Sequence, residues 1–324
     1  MQQFNTIIGN DIQAAKALLQ KGEVVGIPTE TVYGLAGNAL NGDAALKIFS
    51  VKNRPYFDPL IVHTHSISEI EKYVAEIPDK ARLLMQHFMP GALTLLLKKK
   101  DLIPDIITSG LDTVAIRIPA HPLTLQLLKE LPFPLAAPSA NPFGYISPTI
   151  AAHVYDQLKG KIPYILDGGA TTVGVESTIV GFEGDDVVIY RLGGLTIEEI
   201  ERVAGKVKVN INAASNPKTP GMLKSHYAPA VPLVFGEPEL LEAAKAANKA
   251  IGTICFDTAI TGLNSRTKQI LLSPNGDLNE AAKNLFAAMR NLDTSGLDII
   301  YAVRFPDEGL GRAINDRLKR ASVK

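Results

Sequence analysis

Apolar residues in the first part of the chain switch repeatedly between the spacing of a helix and that of a strand. Ile12, Ala15, Leu18 and Leu19 share one helical face, and an Asn or Asp at 10–11 can cap that helix. The same reading predicts strands at 24–27, 60–62, 93–97 and 113–118, and a hairpin of 178–182 with 187–191. It predicts further helices at 43–48, from Ser66, from Pro78, from Ser147 to near Gly160, and from Thr196. Residues 1–208 therefore predict an α/β domain with a twisted mixed sheet.

The pattern changes after residue 208. Residues 209–231 are polar and rich in turn formers, which indicates a linker. A second alternation follows, with strands at 233–235, 252–256, 269–272 and 298–303 and helices at 238–249, 278–292 and 311–321. Residues 232–324 predict a small, doubly wound, Rossmann-like α/β domain.

Composition excludes several function classes. Lys plus Arg equals Asp plus Glu at 33 each, so tight binding of nucleic acid by charge alone is not indicated. The one cysteine, Cys255, lies in a strand pattern, so we expect a core residue and neither a disulfide nor a thiolate zinc site. No secretion signal or apolar run of about 18 residues is recognisable, which predicts a cytoplasmic protein without membrane contact.

The familiar nucleotide and metal motifs are also absent from the sequence. There is no Gly-rich phosphate loop ending in Lys-Ser or Lys-Thr, no complete dinucleotide fingerprint and no His-Glu-x-x-His. No two histidines have the spacing of metal ligands on one helix, so no protein metal site is predicted. An enzyme of this sequence that uses a nucleotide must hold it in another kind of pocket.

Polar and cationic residues instead cluster near the predicted strand ends. Thr29-Glu30-Thr31 follows a strand, where hydroxyls and a carboxylate suit a small polar substrate. Lys52 and Arg54 are two apart on a segment expected to be non-helical, so both can reach one polyanion. Alone, the first cluster also fits a capped turn and the second a solvated basic turn.

Three further clusters have the same character. Thr113 and Arg117 share one strand face. The Arg117 guanidinium there can bind a substrate carboxylate or form a structural ion pair. Ser139 and Asn141, followed by Ser147, lie after an apolar strand, although Ser147 also suits a helix cap. Glu176 precedes the predicted hairpin and is either a base or a surface charge. Together the clusters fit a carboxylate-bearing substrate beside a phosphate-bearing one.

In order along the chain, these segments resemble the threonylcarbamoyl-AMP synthase family in its two-domain form, a YrdC-like domain followed by a Rossmann-like one. The motifs that carry the resemblance are 28-PTETVYGL-35, Lys52-x-Arg54-Pro55, Pro90-Gly91-x-x-Thr94, 114-VAIRIP-119, 138-PSAN-141, 147-SPT-149, 176-ESTI-179, Arg191-x-Gly193, 220-PGM-222 and 226-HYAP-229. The resemblance covers nearly the whole chain, and it implies an enzyme that condenses L-threonine, bicarbonate and ATP into threonylcarbamoyl-AMP and pyrophosphate, with a linker that reaches over the active site.

The resemblance also implies residue roles. Lys52 and Arg54 would stabilise the reacting phosphates as catalytic residues. Threonine would contact Thr31, His63, Arg117 and Ser177; ATP would contact Lys52, Arg54, Asp58, Thr113, Ser139, Asn141, Ser147, Arg191 and Tyr227. Mg²⁺ is expected with ATP, and the product is expected to pass to a tRNA threonylcarbamoyltransferase complex. Two residues depart from the family pattern: Asp58, where Asn or Lys is frequent, and Ser225, where Arg is frequent.

Two other interpretations remain open from sequence. One is a non-catalytic module that binds double-stranded RNA or tRNA on the same fold; neutral charge and the absence of Trp disfavour it, although weak RNA binding stays compatible. The other is a different enzyme on this fold. Hydrogenase-maturation carbamoyl-transfer proteins carry zinc-finger cysteines, and dihydroxybutanone-phosphate synthase an acidic metal site, neither of which is found here.

Overall fold

A computed structural model describes residues 3–211 and 225–323. The described chain divides into two compact units: the first comprises 3–143, 147–172 and 176–211, and the second 144–146, 173–175 and 225–323. The expected linker, 209–231, falls largely on residues 212–224, which lie outside the described residues. The expectation that it reaches over the active site is therefore left as a prediction.

The first unit alternates helices and strands, as expected. Its elements are β1 (Ile7–Gly9), α1 (Ile12–Gln20), β2 (Val25–Ile27), β3 (Gly34–Asn38), α2 (Gly42–Lys52), β4 (Ile61–His63), α3 (Ile67–Tyr73), α4 (Asp79–Phe88), β5 (Leu93–Lys98), α5 (Asp105–Thr108), β6 (Thr113–Arg117), α6 (Pro122–Glu130), β7 (Leu135–Ala136), α7 (Ala151–Leu158), β8 (Tyr164–Leu166), β9 (Thr178–Glu183), β10 (Asp186–Arg191), α8 (Ile197–Ala204) and β11 (Lys208–Val209).

Within the described residues, these strands form one mixed sheet of 11 strands in the order β1-β8-β2-β3-β7-β4-β6-β5-β9-β10-β11. The hairpin of β9 and β10 is antiparallel, while β4 pairs with β6 and β5 with β9 in parallel. The mixed sheet confirms the predicted fold class. Strands β4, β6 and β9 bring their polar end residues to neighbouring positions, which positions the site.

Local chemistry explains the helix boundaries. The Asp11 carboxylate accepts hydrogen bonds from the first backbone N–H groups of α1, and Asn41 does the same for α2. Thr196 and Glu199 form a complete capping box at α8, as the sequence predicts. At the other end of α2, Asn53 takes a left-handed conformation with φ 51° and ends the helix.

The second unit contains β12 (Leu233–Phe235), α9 (Pro238–Ala246), β13 (Ile251–Cys255), β14 (Lys268–Leu271), α10 (Leu278–Asp293), β15 (Ile299–Ala302) and α11 (Gly311–Ala321). Its four strands are parallel, in the order β12-β15-β13-β14, so a small Rossmann-like α/β unit is confirmed. Cys255 is fully buried, as expected for a core residue.

Two sequence expectations are wrong. The helix expected from Ser147 begins at Ala151, and its cap position, Ile150, has no side-chain cap; Ser147 lies three residues before that position, and its hydroxyl donates to Glu176. Lys52 is not on a non-helical segment but is the last residue of α2. The sequence reading omits β1, β3, β8, β11, α5 and α6; the strands β1, β8 and β11 and the helix α5 have two to four residues each, and β3 contains two glycines.

No helix among residues 3–211 and 225–323 combines the length and the apolar character needed to cross a membrane.

Gly193 marks a close backbone approach next to the end of β10. A Cβ there would lie 2.3 Å from the Glu176 carbonyl oxygen, 2.4 Å from the Ser177 carbonyl carbon and 2.5 Å from the Thr178 nitrogen. Gly193→Ala should therefore lower the free energy of unfolding by about 1–3 kcal/mol, the usual cost of overpacking, measured by urea denaturation.

Gly42→Ala is the matched control, because a Cβ at Gly42 meets nothing within 4 Å. Gly42 also begins α2, where Ala is favoured over Gly, so this variant should be neutral or stabilised. Equal stabilities of the two variants would contradict the tight packing described at Gly193.

Candidate active site

Arg117 ends β6 and is the centre of a buried polar cluster. Its guanidinium Nε donates to the Gly91 carbonyl at 3.1 Å, one terminal nitrogen donates to the Thr31 hydroxyl at 2.9 Å, and the other pairs with the Glu30 carboxylate at 2.5 Å. The Arg117 residue is only 3% exposed. Burial of a guanidinium is costly unless it is paired, and Glu30 supplies the balancing charge.

The donors of Arg117 are not all used within the described residues. A guanidinium has five N–H donors, and the contacts to Gly91, Thr31 and Glu30 occupy three of them. Each terminal nitrogen keeps one further N–H. A planar carboxylate can accept from two such donors, so Arg117 is suited to hold a substrate carboxylate.

His63 ends β4 directly beside Arg117 in the parallel register of β4 and β6. Burial, with the neighbouring Arg117 charge as the second cause, lowers the pKa of His63 to about 3, although the backbone carbonyls of Ile61 and Leu135 oppose the shift. The imidazole is therefore neutral at pH 7. Its Nδ1 lies 3.1 Å from the Ile61 carbonyl oxygen and donates to it.

Lys52 and Arg54 form a second buried cluster, so the solvated basic turn is excluded. The Lys52 ammonium donates to the carbonyls of Ser139 and Asn141 at 2.5 and 2.6 Å, and burial, followed by the Arg54 charge, lowers the pKa of Lys52 well below its usual value. Arg54 pairs with Asp58 at 2.9 Å. Asp58 opposes the shift at Lys52.

The Arg54–Asp58 pair accounts for the unusual acid at position 58. The Arg54 Nε also donates to the Asp58 carbonyl at 2.9 Å and a terminal nitrogen to the Pro59 carbonyl at 2.7 Å. Asp58 thus balances an adjacent guanidinium instead of standing as an isolated negative charge. With Lys52 included, the cluster has a formal excess of one positive charge.

Backbone hydrogen bonds hold these two clusters together. Gly34 and Ser139 form an isolated antiparallel bridge, Ala140 N donates to the Tyr33 carbonyl, and Tyr33 N donates to the Pro148 carbonyl. The loop of 28–35, which carries Thr31, is therefore bound to the loop of 138–148, which receives Lys52. The two clusters are therefore connected through hydrogen bonds between these loops.

A third group lies around the start of the β9–β10 hairpin. Ser147 donates its hydroxyl to the Glu176 carboxylate at 2.6 Å. A terminal nitrogen of Arg191 donates to the Ser177 hydroxyl at 3.0 Å and to the Ser177 carbonyl at 2.9 Å, and the Thr94 hydroxyl lies 2.7 Å from that of Ser177. The contact of Arg191 with Ser177 thus joins a residue predicted for threonine to one predicted for ATP.

Two predicted ATP residues make none of the contacts described for these groups. Thr113 begins β6, four residues or about 13 Å along the strand from Arg117, where it lines a separate cavity of about 300 Å³ with Lys98, Asp112 and Phe182 among others. Tyr227 belongs to the second unit, where its ring stacks on Phe286 with centroids 5.5 Å apart. Their roles stay predictions.

Three residues outside the predicted set take part in the site. Glu30 neutralises Arg117, Glu176 accepts from Ser147, and Thr94 contacts Ser177. Glu30 and Glu176 were visible as charges beside predicted site residues, but their partners are 87 and 29 positions away along the chain. Thr94 belongs to the motif Pro90-Gly91-x-x-Thr94, which carries part of the resemblance, but no role was assigned to it.

The described residues form no protein cage for a metal ion. No group of three or more His, Cys, Asp or Glu side chains suited to a metal occurs among residues 3–211 and 225–323. Asp58, the acid nearest to the cationic cluster, is paired with Arg54. The residues present therefore do not fit a resident metal cofactor.

These features define a class of protein: a two-unit α/β protein whose first unit contains a buried, paired guanidinium, Arg117, and a buried cationic cluster of Lys52 and Arg54. Residues 17–193 match the model of the Sua5, YciO and YrdC proteins, described as telomere recombination, and residues 195–323 match the threonylcarbamoyl-AMP synthase C-terminal domain. The chain belongs to the threonylcarbamoyl-AMP synthase family.

Curated relatives and a solved structure support membership of the same family. Threonylcarbamoyl-AMP synthase of Bacillus subtilis is 43% identical over 97% of this chain and 94% of its own length, and that of Pyrococcus abyssi is 40% identical over 96% and 94%. The crystal structure of P. abyssi Sua5 complexed with L-threonine has a TM-score of 0.90 and 38% identity, covering 98% of this chain and 97% of that chain.

The buried neutral His63 predicts a pH effect on stability. Unfolded His has a pKa of about 6.5, so as pH falls below that value the unfolded chain binds a proton that folded His63 does not bind until about pH 3. The free energy of unfolding should fall by up to about 1.4 kcal/mol per pH unit, or about 2 kcal/mol at pH 5. His63→Gln should lack this part of the decline, measured by urea denaturation at pH 7 and pH 5.

His87→Gln serves as the control, since His87 is exposed and its removal should leave the pH dependence as in the unaltered protein. A decline in His63→Gln as steep as that in the control would show that His63 titrates normally in the folded state.

Proposed function

We propose that this chain is an L-threonylcarbamoyladenylate synthase, a nucleotidyltransferase that acts on L-threonine, bicarbonate and ATP in the pathway that modifies adenosine in tRNA. The observation that carries the proposal is Arg117, a buried guanidinium with two N–H donors available to a carboxylate. Arg117 contacts Thr31, and the loop that carries Thr31 is bound to the loop that receives Lys52. The threonine complex of the P. abyssi relative supports it.

The proposed chemistry needs no protein nucleophile. The threonine amine loses a proton and forms a C–N bond with bicarbonate carbon, which releases water and yields an N-carboxylate. An oxygen of that N-carboxylate attacks the α-phosphorus of ATP, and the bond to the β-phosphate oxygen breaks with release of pyrophosphate. Catalysis then depends on positioning and on neutralising charge at the phosphates.

The proposed residue roles are those that the resemblance implies. Arg117 would bind the threonine carboxylate, with Thr31, His63 and Ser177 around the amino acid. Lys52 and Arg54 would face the phosphates as catalytic residues. Asp58, Thr113, Ser139, Asn141, Ser147, Arg191 and Tyr227 remain the proposed surroundings of ATP. Mg²⁺ would arrive as the ATP complex, because Mg²⁺ commonly binds substrate phosphates and keeps several waters.

The alternative of a non-catalytic RNA module is disfavoured by burial. Lys52, Arg54 and Arg117 are 1%, 7% and 3% exposed, so they cannot line the outer surface that a duplex backbone contacts. We propose that any RNA binding is weak, that the protein works in the cytoplasm, and that its product passes to a tRNA threonylcarbamoyltransferase complex.

The direct test is mass spectrometry after incubation with threonine, bicarbonate and MgATP. Threonylcarbamoyl-adenylate and an equal amount of pyrophosphate are expected, and both should disappear when threonine is omitted. RNA binding without threonine-dependent release of pyrophosphate would instead favour the binding module.

Lys52→Ala should lower the turnover for threonylcarbamoyl-adenylate at least about 100-fold, the usual scale for one lost electrostatic donor. Lys52 is in addition the donor that holds the carbonyls of Ser139 and Asn141. Turnover is measured by pyrophosphate release, and circular dichroism checks that the variant is folded.

Lys47→Ala is the control, because Lys47 lies on the same helix, α2, and makes a half-exposed pair with Glu23. It should retain full turnover. A folded Lys52→Ala protein with ordinary release of pyrophosphate would remove Lys52 from the catalytic residues.

A further inference from the structure

Ser177 has a hydrogen-bonding arrangement that sets the direction of its own proton. Its hydroxyl is buried, with the residue 1% exposed, and its two partners among the described residues are the Arg191 guanidinium at 3.0 Å and the Thr94 hydroxyl at 2.7 Å. A serine hydroxyl has one proton to donate and two lone pairs that accept. One of these three positions is therefore left for a ligand.

Arg191 fixes the first position. A guanidinium is always protonated and has no acceptor, so Arg191 donates and one lone pair of Ser177 is filled. What remains for a ligand depends on whether Thr94 donates to Ser177 or accepts from it.

Thr94 bears on that choice through its burial. It is 0% exposed, and within the described residues its hydroxyl has Ser177 as its single hydrogen-bond partner. Without a ligand, either direction leaves one buried proton without an acceptor: that of Thr94 if Ser177 donates, or that of Ser177 if Thr94 donates. A ligand oxygen that accepts from Ser177 satisfies both hydroxyls, with Thr94 as the donor, whereas a ligand that donates to Ser177 leaves the Thr94 proton unsatisfied at a cost of about 1–3 kcal/mol.

The sheet register shows where that proton is needed. Strand β5 pairs with β6 so that Leu95 lies opposite Ile116, which places Thr94 beside Arg117. Strand β5 also pairs with β9 so that Leu93 lies opposite Thr178, the residue after Ser177. Arg117, Thr94 and Ser177 thus come from neighbouring positions on three adjacent strands.

We propose that Thr94 is a positioning residue that makes Ser177 an obligate donor to the α-carboxylate of the amino-acid substrate, the same group that Arg117 binds. This inference rests on the proposed function. It adds Thr94, a residue for which no role was predicted. It also gives a direction to the hydrogen bond between Ser177 and the substrate: Ser177 donates to an anionic oxygen and does not accept from the substrate's amine or hydroxyl.

Calorimetric binding of L-threonine without ATP tests the inference independently of catalysis. Thr94→Val removes the hydroxyl but keeps a branched side chain, and it should weaken threonine binding about tenfold, the scale of one hydrogen bond to a charged group. Thr94→Ser should restore binding. L-threoninol, which keeps the amine and hydroxyl but lacks the carboxylate, should bind the native protein and Thr94→Val equally.

A double-mutant cycle separates positioning from a structural role. Because Thr94 acts through Ser177, Thr94→Val should add little to Ser177→Ala, and the combined loss of threonine affinity should equal that of Ser177→Ala alone. In the complete reaction, Thr94→Val should raise KM for threonine about tenfold and leave KM for ATP unchanged.

Unchanged threonine affinity in a folded Thr94→Val protein would overturn the inference, as would equal losses for threonine and threoninol or additive losses in the cycle. Threonine binding by the native protein without formation of the adenylate would refute the proposed function and leave this inference standing. If the native protein binds no threonine, both proposals fail.

Discussion

The burial of positive charge is the constraint on which the site depends. Arg117, Lys52 and Arg54 are all nearly inaccessible, and each is compensated in a different way: Arg117 and Arg54 by the carboxylates of Glu30 and Asp58, Lys52 by two backbone carbonyls. Low dielectric surroundings strengthen each of these contacts and make an unpaired charge costly. The partners hold the cations in fixed positions before any substrate binds.

That compensation also divides the site by charge. In formal charge, the Arg117–Glu30 pair is neutral, whereas Lys52 adds one positive charge to the Arg54–Asp58 pair, although burial lowers the pKa of Lys52 well below its usual value. Arg191 donates to Ser177, which joins a residue proposed for ATP to one proposed for threonine. The proposed attack of an N-carboxylate oxygen on the α-phosphorus of a nucleotide requires such proximity of the two substrates.

The second unit shows a different balance of forces. It contains a parallel sheet and a buried tyrosine, Tyr227, whose backbone φ is 65°. The Tyr227 ring stacks on Phe286, and the Arg317 guanidinium lies over it at 5.4 Å from the ring centre. Ser225, the second departure from the family pattern, donates to the Val323 carbonyl at 2.6 Å. The residue that replaces a frequent Arg thus has a local partner on the C-terminal end of the chain.

The sequence by itself determined the α/β class, most long helices and strands, and the residues at strand ends, because these depend on local periodicity and capping. The bounds of β12 and α11 are as predicted, and the hairpin after Ser177 is confirmed. Only the tertiary structure decided the partners: Glu30 with Arg117, Glu176 with Ser147, Thr94 with Ser177, each far apart along the chain. The helix expected at Ser147 begins four residues later, at Ala151, and the Ser147 hydroxyl donates to Glu176, a partner that only the tertiary structure brings near.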